Sequence, residues 1–262
     1  MFPMPDTADH REFVKPFVYE DLGTKALHFS ICEIQSRMQI QRPHALDLDY
    51  TRTMMAFLLF VPPPELMGMI GLGGGSLAKF CHHHLSGTRI KVVEINPHVI
   101  ALRDQFQVPP DDARLQVRRG DGADFVRQTR DRLDVLLVDG FDHEGQPPEL
   151  CSQAFYDDCR AALRADGMLV ANLHTAHPEF SRHVARIERA FDGDALFVGD
   201  GECSNTIAFA GSGLSAGSAR PGVLRKPGPL DRQAWDDLMP AFARVVGALH
   251  EQRSGAQGRT DR

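Results

Sequence analysis

A glycine-rich turn followed by an acidic residue is the clearest chemical signal in the chain. Gly71, Gly73, Gly74 and Gly75 follow an apolar run and precede a helical pattern. Glycine at such a turn lets backbone N–H groups and a helix N-terminus approach a ligand closely. Glu94 ends the next apolar run, 19 positions after Gly75, close to the ~20 expected for a carboxylate that accepts both ribose hydroxyls. This order predicts a nucleoside-cofactor site, rather than only a tight turn and a surface glutamate.

Two further acidic segments follow predicted strands. Asp121, between Gly120 and Gly122, can accept a hydrogen bond from an adenine amino group, cap the following helix, or do both. Asp139 ends another strand, at the edge where open α/β sheets place ligands, and Asp142 lies three residues on. Two carboxylates there can hold a cationic amine and take its proton, because an aliphatic amine with a pKa near ~10 must become neutral before it attacks carbon. The alternative for this segment is an Asx turn with a solvated acid.

Histidines and cysteines offer metal-binding chemistry, but their spacing argues against it. His82, His83 and His84 are consecutive, so on a helix their side chains are expected to point in different directions and not to share an ion. The cysteines are odd in number, and no pair has metal-ligand spacing: Cys32, Cys81, Cys151, Cys159 and Cys203. We therefore expect no metal site, and reduced thiols in a cytoplasmic protein.

The elements that position the acidic residues alternate between strand and helix. Apolar runs predict strands over residues 66–72, 89–95, 114–119, 134–140, 167–173, 195–200 and 205–211. Helical patterns separate most of them, over residues 76–85, 97–106, 123–130, 152–163 and 178–191. Near-continuous apolar strands are typical of a sheet covered on both faces. The alternation predicts an α/β fold with a mostly parallel, doubly wound sheet, ending on a hairpin whose last strand is antiparallel.

Smaller units are expected on either side of this sheet. We expect residues 1–49 to form an N-terminal β-hairpin unit with strands over 26–31 and 34–40. Residues 50–210 are then expected to form the cofactor-binding domain, which opens with a helix over 50–60. Residues 211–262 predict a linker over 211–222, a helix over 231–250 interrupted at Pro240, and a disordered tail.

Composition and charge narrow the range of partners. The chain has 262 residues and a formal net charge of −6, which disfavours nucleic acid and suits a small cationic partner. The N-terminus lacks a secretory signal pattern, and the longest apolar run, residues 54–64, is too short to cross a bilayer. We therefore expect no membrane association.

Several motifs, in order, resemble those of the spermidine synthase (polyamine aminopropyltransferase) family over roughly residues 17–209. The matching positions lie in the family's glutamine-bearing strand, its YHEM helix, its GGGDGG loop and its EIDP, DG, DSTD and FTEEFY segments: Gln35, Tyr50, Gly73-Gly74-Gly75, Glu94-Ile95-Asn96-Pro97, Asp121-Gly122, Asp139-Gly140-Phe141-Asp142 and Phe155-Tyr156. So many motifs in the right order make the resemblance specific.

The resemblance implies a Rossmann-like, methyltransferase-type fold and an enzyme of polyamine biosynthesis, commonly a homodimer. Its co-substrate would be S-adenosylmethionine or decarboxylated S-adenosylmethionine, and its acceptor an amine or polyamine. Asp139 would be the base, Asp142 the amine holder, and Tyr50 a residue of the acceptor side. The implied cofactor-binding residues are Gln35, Gly71, Gly73, Gly74, Gly75, Ser76, Glu94, Ile95, Asp121, Gly122 and Asp139.

Two departures from the family pattern leave alternatives open. Ser76 stands where the family has an acid that grips the ammonium of the decarboxylated cofactor, and Thr51-Arg52 replaces the HE of YHEM. Both changes make the carboxylate of intact S-adenosylmethionine easier to accept. A methyltransferase on the same scaffold is therefore the second hypothesis, and a non-catalytic nucleoside-binding protein is the third.

Overall fold

A seven-stranded sheet with helices on both faces follows a small N-terminal sheet in the computed structural model of the protein. The structure describes residues 13–30, 33–130, 132–141, 145–202, 204–216 and 224–260. The predicted α/β class and doubly wound sheet are confirmed.

The N-terminal sheet has three antiparallel strands rather than the predicted two. They are β1 (Phe17–Asp21), β2 (Thr24–Ser30) and β3 (Glu33–Gln39), in the order β1-β2-β3. The expected hairpin is the β2–β3 pair. The sequence did not indicate β1 because its side chains are largely exposed and therefore lack the alternation of a half-buried strand.

The central sheet consists of β4 (Leu66–Ile70), β5 (Arg89–Glu94), β6 (Leu115–Arg119), β7 (Leu133–Val138), β8 (Leu163–His174), β9 (Ala195–Gly199) and β10 (Asn205–Ala210). Its order is β6-β5-β4-β7-β8-β10-β9. β10 is antiparallel, as predicted, but it lies between β8 and β9, so the edge strand is β9. The chain passes from β4 to β5 on one side and returns to β7 on the other. The crevice at the carboxyl end of β4 is therefore the topological switch point, where such sheets bind ligands.

Apolar side chains on both faces explain why the central strands are continuously apolar. Along β7, Val135 and Leu137 join one buried cluster, while Leu136 and Val138 join the other. Helices cover each cluster, so neither face of the strand meets water.

Each predicted helix has a counterpart in the structure, but several of the observed helices differ in length from the prediction. They are α1 (Asp49–Met54), α2 (Ser76–His84), α3 (Pro97–Ile100), α4 (Gly122–Gln128), α5 (Gln153–Ala162), α6 (Phe180–Ala190), α7 (Gly213–Ala216) and α8 (Arg232–Thr260). The helix predicted over 50–60 changes at Met55 to a 3₁₀ helix, and the one predicted over 97–106 ends at Ile100 and continues as turns. No helix in the described ranges combines the length and the apolar character needed to span a bilayer.

The C-terminal helix corrects two predictions. α8 runs through Pro240 without a break and extends to Thr260, where an interruption and a disordered tail were expected. Proline removes one hydrogen bond from the helix ladder, but Leu238 and Phe242 on either side of it are buried against the core. This apolar burial offsets the lost bond and keeps the helix continuous.

A fully buried lysine connects the N-terminal sheet to α2. The Lys79 side chain has no solvent exposure, and its Nζ donates to the carbonyl oxygen of Phe106 at 2.7 Å and contacts the Met38 sulfur at 2.9 Å. Burial lowers the Lys79 pKa from 10.5 to about 8. The folded state therefore binds the proton of the Lys79 amine less tightly than the unfolded state does. At any pH at which this amine is charged, its burial lowers the stability of the protein.

The effect of Lys79 on stability should therefore depend on pH. The loss of stability caused by burying Lys79 is complete below about pH 8 and disappears as the pH rises toward about 10.5. Between these two pH values the unfolded state binds a proton that the folded state does not, so stability increases with pH. Relative to Lys79→Met, the wild-type free energy of unfolding should rise by up to about 3 kcal/mol between pH 7 and pH 10.5. Urea denaturation across this range measures the difference. Lys15→Met, at an exposed lysine, should show no such trend, and a parallel pH profile for Lys79→Met would contradict the account.

Candidate active site

The glycine-rich loop and the end of β7 are in direct backbone contact at the switch point. Gly71 N–H donates to the Val93 carbonyl oxygen, and Asp139 N–H donates to the Ile70 carbonyl oxygen, both at 2.9 Å. Gly71 has φ +92°, and a Cβ there would collide with the carbonyl of Asp139. Only glycine permits this approach, which places the loop against the strand end that bears Asp139.

The rest of the loop packs against the N-terminal sheet. Gly73 lies close to Ser36 of β3, and a Cβ at Gly74 would meet Ser36 Oγ at 2.7 Å. Ser76 Oγ lies 3.3 Å from Ser36 Oγ, and both serines are buried. Gly75 packs on Val108 with φ +69°. Ser76 therefore faces a neutral hydroxyl rather than a charged group.

Glu94 connects the glycine-rich loop to the turn that follows β5. Its Oε2 accepts from Leu72 N–H and its Oε1 from Asn96 N–H, each at 2.8 Å. Burial raises the Glu94 pKa, and the surrounding backbone N–H donors oppose that shift. Glu94 lies in the wall of the cavity, where the sequence predicts that its carboxylate accepts the hydroxyls of a ribose.

Asp121 occupies the helix-capping position that the sequence allowed. Its Oδ1 accepts from Ala123 N–H at 2.7 Å and from Asp124 N–H at 3.3 Å, at the start of α4. Gly122 is buried, and a Cβ there would collide with the Ile70 side chain. Capping holds the Asp121 carboxylate at the rim of the same crevice as Glu94.

Two polar side chains hold the Asp139 carboxylate. Tyr50 Oη donates to Asp139 Oδ2 at 3.2 Å, and Asn172 Nδ2 donates to Asp139 Oδ1 at 2.9 Å. Burial raises the Asp139 pKa, and these two hydrogen bonds oppose the shift. The Tyr50 pKa is raised well above its usual value, first by burial and then by the Asp139 charge. Tyr50 therefore stays protonated as a donor, and Asp139 is a stronger base than a solvated carboxylate.

These groups surround one cavity of about 870 Å³. The predicted site residues that line it are Gln35, Tyr50, Gly71, Gly73, Ser76, Glu94, Ile95, Asp121, Gly122 and Asp139. Gly74 and Gly75 do not line it and instead shape the loop from behind. Asp142 lies outside the described residues. The cavity joins the predicted nucleoside side, at Glu94 and Asp121, to the predicted reaction side at Asp139.

Arg52 is not positioned to choose the cofactor. Its guanidinium donates to the carbonyl oxygens of Leu46 and Asp47, both at 2.9 Å, and the residue does not line the cavity. The expectation that Arg52 makes the carboxylate of intact S-adenosylmethionine easier to accept is wrong, because the carbonyls of the short segment before α1 hold its guanidinium outside the cavity lining. Thr51 and Arg37 line the cavity instead, and Arg37 forms an ion pair with Asp47.

Several lining residues were not singled out from the sequence. Asn172, His174 and His177 lie at and beyond the carboxyl end of β8, and Glu202 and Asn205 lie around the start of β10. Asn172 had a detectable signal, because it is a polar residue in the otherwise apolar run of β8. Glu202 lies in a turn without a motif, and its position depends on the β9–β10 pairing.

The consecutive histidines behave differently from the expectation. His82 Nε2 pairs with Asp112 Oδ2 at 3.0 Å, on its own side of α2. His83, His84 and Asp231 bring their ligand atoms within 4.8 Å of one another. The argument that these neighbours point apart is therefore right for His82 and wrong for the other two, since His84 is the last residue of the helix.

The cysteines in the described ranges are buried and unpaired. Cys81, Cys151 and Cys159 have free thiols, whereas Cys32 and Cys203 lie outside the described residues. Burial raises the Cys151 pKa to about 12. Its thiol stays protonated and is a poor nucleophile, as its expected structural role requires.

A family model and curated relatives place the chain in one family. The spermine/spermidine synthase domain matches residues 48–195. A polyamine aminopropyltransferase of Neisseria meningitidis (serogroup A, strain Z2491) is 37% identical over 181 residues, which are 68% of this chain and 69% of that protein.

Solved structures are similar in fold. A probable spermidine synthase from Corynebacterium glutamicum has a TM-score of 0.66 at 17% identity, over 77% of this chain and 81% of its own. Human methyltransferase-like protein 13 in complex with SAH has a TM-score of 0.58 at 21% identity, over 76% of this chain and 93% of its own. The methyltransferase-type, Rossmann-like fold is confirmed.

Replacing Glu94 by alanine should abolish tight binding of methylthioadenosine. The change removes the predicted ribose acceptor and leaves Leu72 and Asn96 N–H groups without their partner. We expect a loss of about 2–4 kcal/mol, as for other charge-assisted hydrogen bonds, measured by calorimetry. Glu65→Ala, at an exposed glutamate before β4, should leave the Kd unchanged. An unchanged Kd in a folded Glu94→Ala variant would contradict the assignment of the nucleoside side.

Proposed function

We propose, because the chain belongs to the spermine/spermidine synthase family, that it transfers an aminopropyl group from an S-adenosyl sulfonium to an amine or polyamine. The observation that carries this proposal is the Asp139 carboxylate, held by Tyr50 and Asn172 in the cavity that also contains Glu94. A fixed base facing a bound sulfonium is what amine transfer requires.

In this reaction Asp139 accepts a proton from the attacking nitrogen. A neutral amine nitrogen attacks the aminopropyl carbon next to sulfur; the N–C bond forms, the C–S bond breaks, and the sulfonium becomes the neutral thioether methylthioadenosine. The nitrogen then bears a positive charge and an extra proton. Asp139 accepts a proton from this nitrogen, which its raised pKa favours. Tyr50 keeps the carboxylate oriented throughout, since its own raised pKa keeps it protonated.

The charge of the cavity supports a cationic acceptor. The acidic side chains among the described lining residues are Glu94, Asp121, Asp139, Glu149 and Glu202. Arg37 is the one lysine or arginine in the described lining, and Asp47 neutralises it. Excess negative charge in a confined cleft attracts a di- or polyamine and lowers the cost of desolvating it.

The cofactor choice is a separate question, and it rests on Ser76. The neutral Ser76–Ser36 contact supplies neither an attractive carboxylate for an ammonium nor a repulsive one for a carboxylate. This favours a site that tolerates intact S-adenosylmethionine. A methyltransferase reaction is therefore the second candidate.

The remaining expectations concern the protein as a whole. We infer a homodimer in the cytoplasm that needs no metal ion for transfer. Light scattering of the purified protein tests whether it is a homodimer. Activity after exhaustive dialysis against a chelator tests whether transfer needs a metal ion.

Asp139→Asn tests the mechanism. The change preserves size and most hydrogen bonding, so methylthioadenosine affinity should survive. It removes the proton acceptor, and loss of a general base costs about 10²–10⁴-fold in rate. With an acceptor found by screening diamines and polyamines, turnover should fall at unchanged cofactor affinity. Raising the pH should restore part of it by deprotonating the free amine.

Asp134→Asn is the matched control, because Asp134 lies at the opposite end of the same strand and binds the N–H groups of Glu65 and Leu66. It should keep near-wild-type turnover. Wild-type turnover in Asp139→Asn would remove Asp139 from the catalytic role.

Ser76→Asp should shift affinity toward decarboxylated S-adenosylmethionine. The new carboxylate would attract the ammonium of that cofactor and repel the carboxylate of the intact one. Calorimetry with both cofactors gives the ratio of affinities, which should change by about 10-fold or more. Ser36→Ala, which removes only the partner hydroxyl, should change it far less. A ratio unmoved by Ser76→Asp would mean that Ser76 does not face the cofactor tail.

A further inference from the structure

Asn172 has an acceptor atom that the folded chain leaves unused. The residue lies two positions before the end of β8 and is 3% exposed, yet it lines the cavity. Its Nδ2 donates to Asp139, but its Oδ1 is a buried atom with no hydrogen-bond partner among the described residues. Leaving a buried acceptor unsatisfied is costly, so such an atom in a binding cavity calls for a partner.

The orientation of the Asn172 amide follows from its neighbours. Asp139 Oδ1 is an acceptor and requires a donor, which only the Nδ2 group of Asn172 supplies. A flipped amide would bring two oxygens together. Tyr50 already donates to the other oxygen, Asp139 Oδ2. Oδ1 of Asn172 is thus left for a group that arrives with the ligand and donates a hydrogen.

We propose that Asn172 Oδ1 accepts an N–H from the attacking nitrogen of the acceptor and makes the site selective for primary amines. This inference rests on the proposed aminopropyl transfer. A neutral primary amine has two N–H groups and one lone pair. When Asp139 and Asn172 each accept one N–H, the lone pair is left free to attack carbon. After the N–C bond forms, the proton passes to Asp139, and Asn172 keeps its hydrogen bond to the remaining N–H.

A secondary amine cannot meet the same requirement. It has one N–H, so it satisfies either Asp139 or Asn172 and leaves the other acceptor unpaired. Sites built to bind a substrate N–H discriminate strongly against analogues that lack it, because their own buried groups are then left without partners. Asn172 thereby restricts the acceptor class as well as orienting the base.

The test compares 1,4-diaminobutane with its N,N′-dimethyl derivative, which has only secondary amines. For wild-type protein the ratio of kcat/KM values should favour the primary diamine by about 10–100-fold. Asn172→Leu, which keeps the branched shape but is larger and has no acceptor, should lower this ratio by about 10-fold, since only the primary diamine loses a contact. Thr206→Val, which removes a buried hydroxyl paired with Thr175 just beyond the end of β8, should leave the ratio unchanged.

Two readouts separate this role from a structural one. Thermal denaturation and methylthioadenosine affinity establish that Asn172→Leu is folded with an intact nucleoside side. If Asn172 only positions Asp139, both diamines will lose kcat equally and the ratio will not move, which overturns the inference while aminopropyl transfer stands. Transfer to no amine in the screen of diamines and polyamines would overturn the proposed function, and this inference with it.

Discussion

The carboxylate of Asp139 is the constraint on which the site depends. A charged group at the end of a buried strand is costly unless hydrogen bonds compensate for its desolvation. Tyr50, from the helix that follows the N-terminal sheet, and Asn172, from the adjacent strand, provide that compensation. Three separate parts of the chain must therefore be in place before the proposed base is held, and the buried core beneath them keeps each part in register.

The second constraint is steric and lies in the backbone. Gly71 allows the glycine-rich loop to contact the end of β7, and Glu94 then connects the loop, at Leu72, to the turn after β5, at Asn96. The proposed nucleoside side, at β5 and β6, and the proposed base, at β7, thus lie on either side of β4 in one sheet, with little freedom between them. Such a rigid framework would hold a nucleophile and an electrophile close together, which removes much of the entropic cost of a transfer between two substrates.

The sequence predicted what depends on local patterns and missed what depends on tertiary contacts. Strand order in the chain, the glycine turn, Glu94 and Asp139 were accessible because each follows a strand at the expected spacing. The exposed strand β1 had no amphipathic signal, and the continuity of α8 through Pro240 comes from burial on either side. Arg52 was misplaced because a motif position does not specify side-chain direction, and the Asn172 contact to Asp139 depends on the packing of β7 against β8.

The central claim is the identity of the transferred group. Mass spectrometry of reactions containing the protein, a mixture of diamines and polyamines, and either intact or decarboxylated S-adenosylmethionine would identify it directly. With the decarboxylated cofactor, the account predicts an acceptor that has gained one aminopropyl group, together with an equal amount of methylthioadenosine. A methylated product with S-adenosylhomocysteine, or an unchanged mixture with the folded protein, would contradict it.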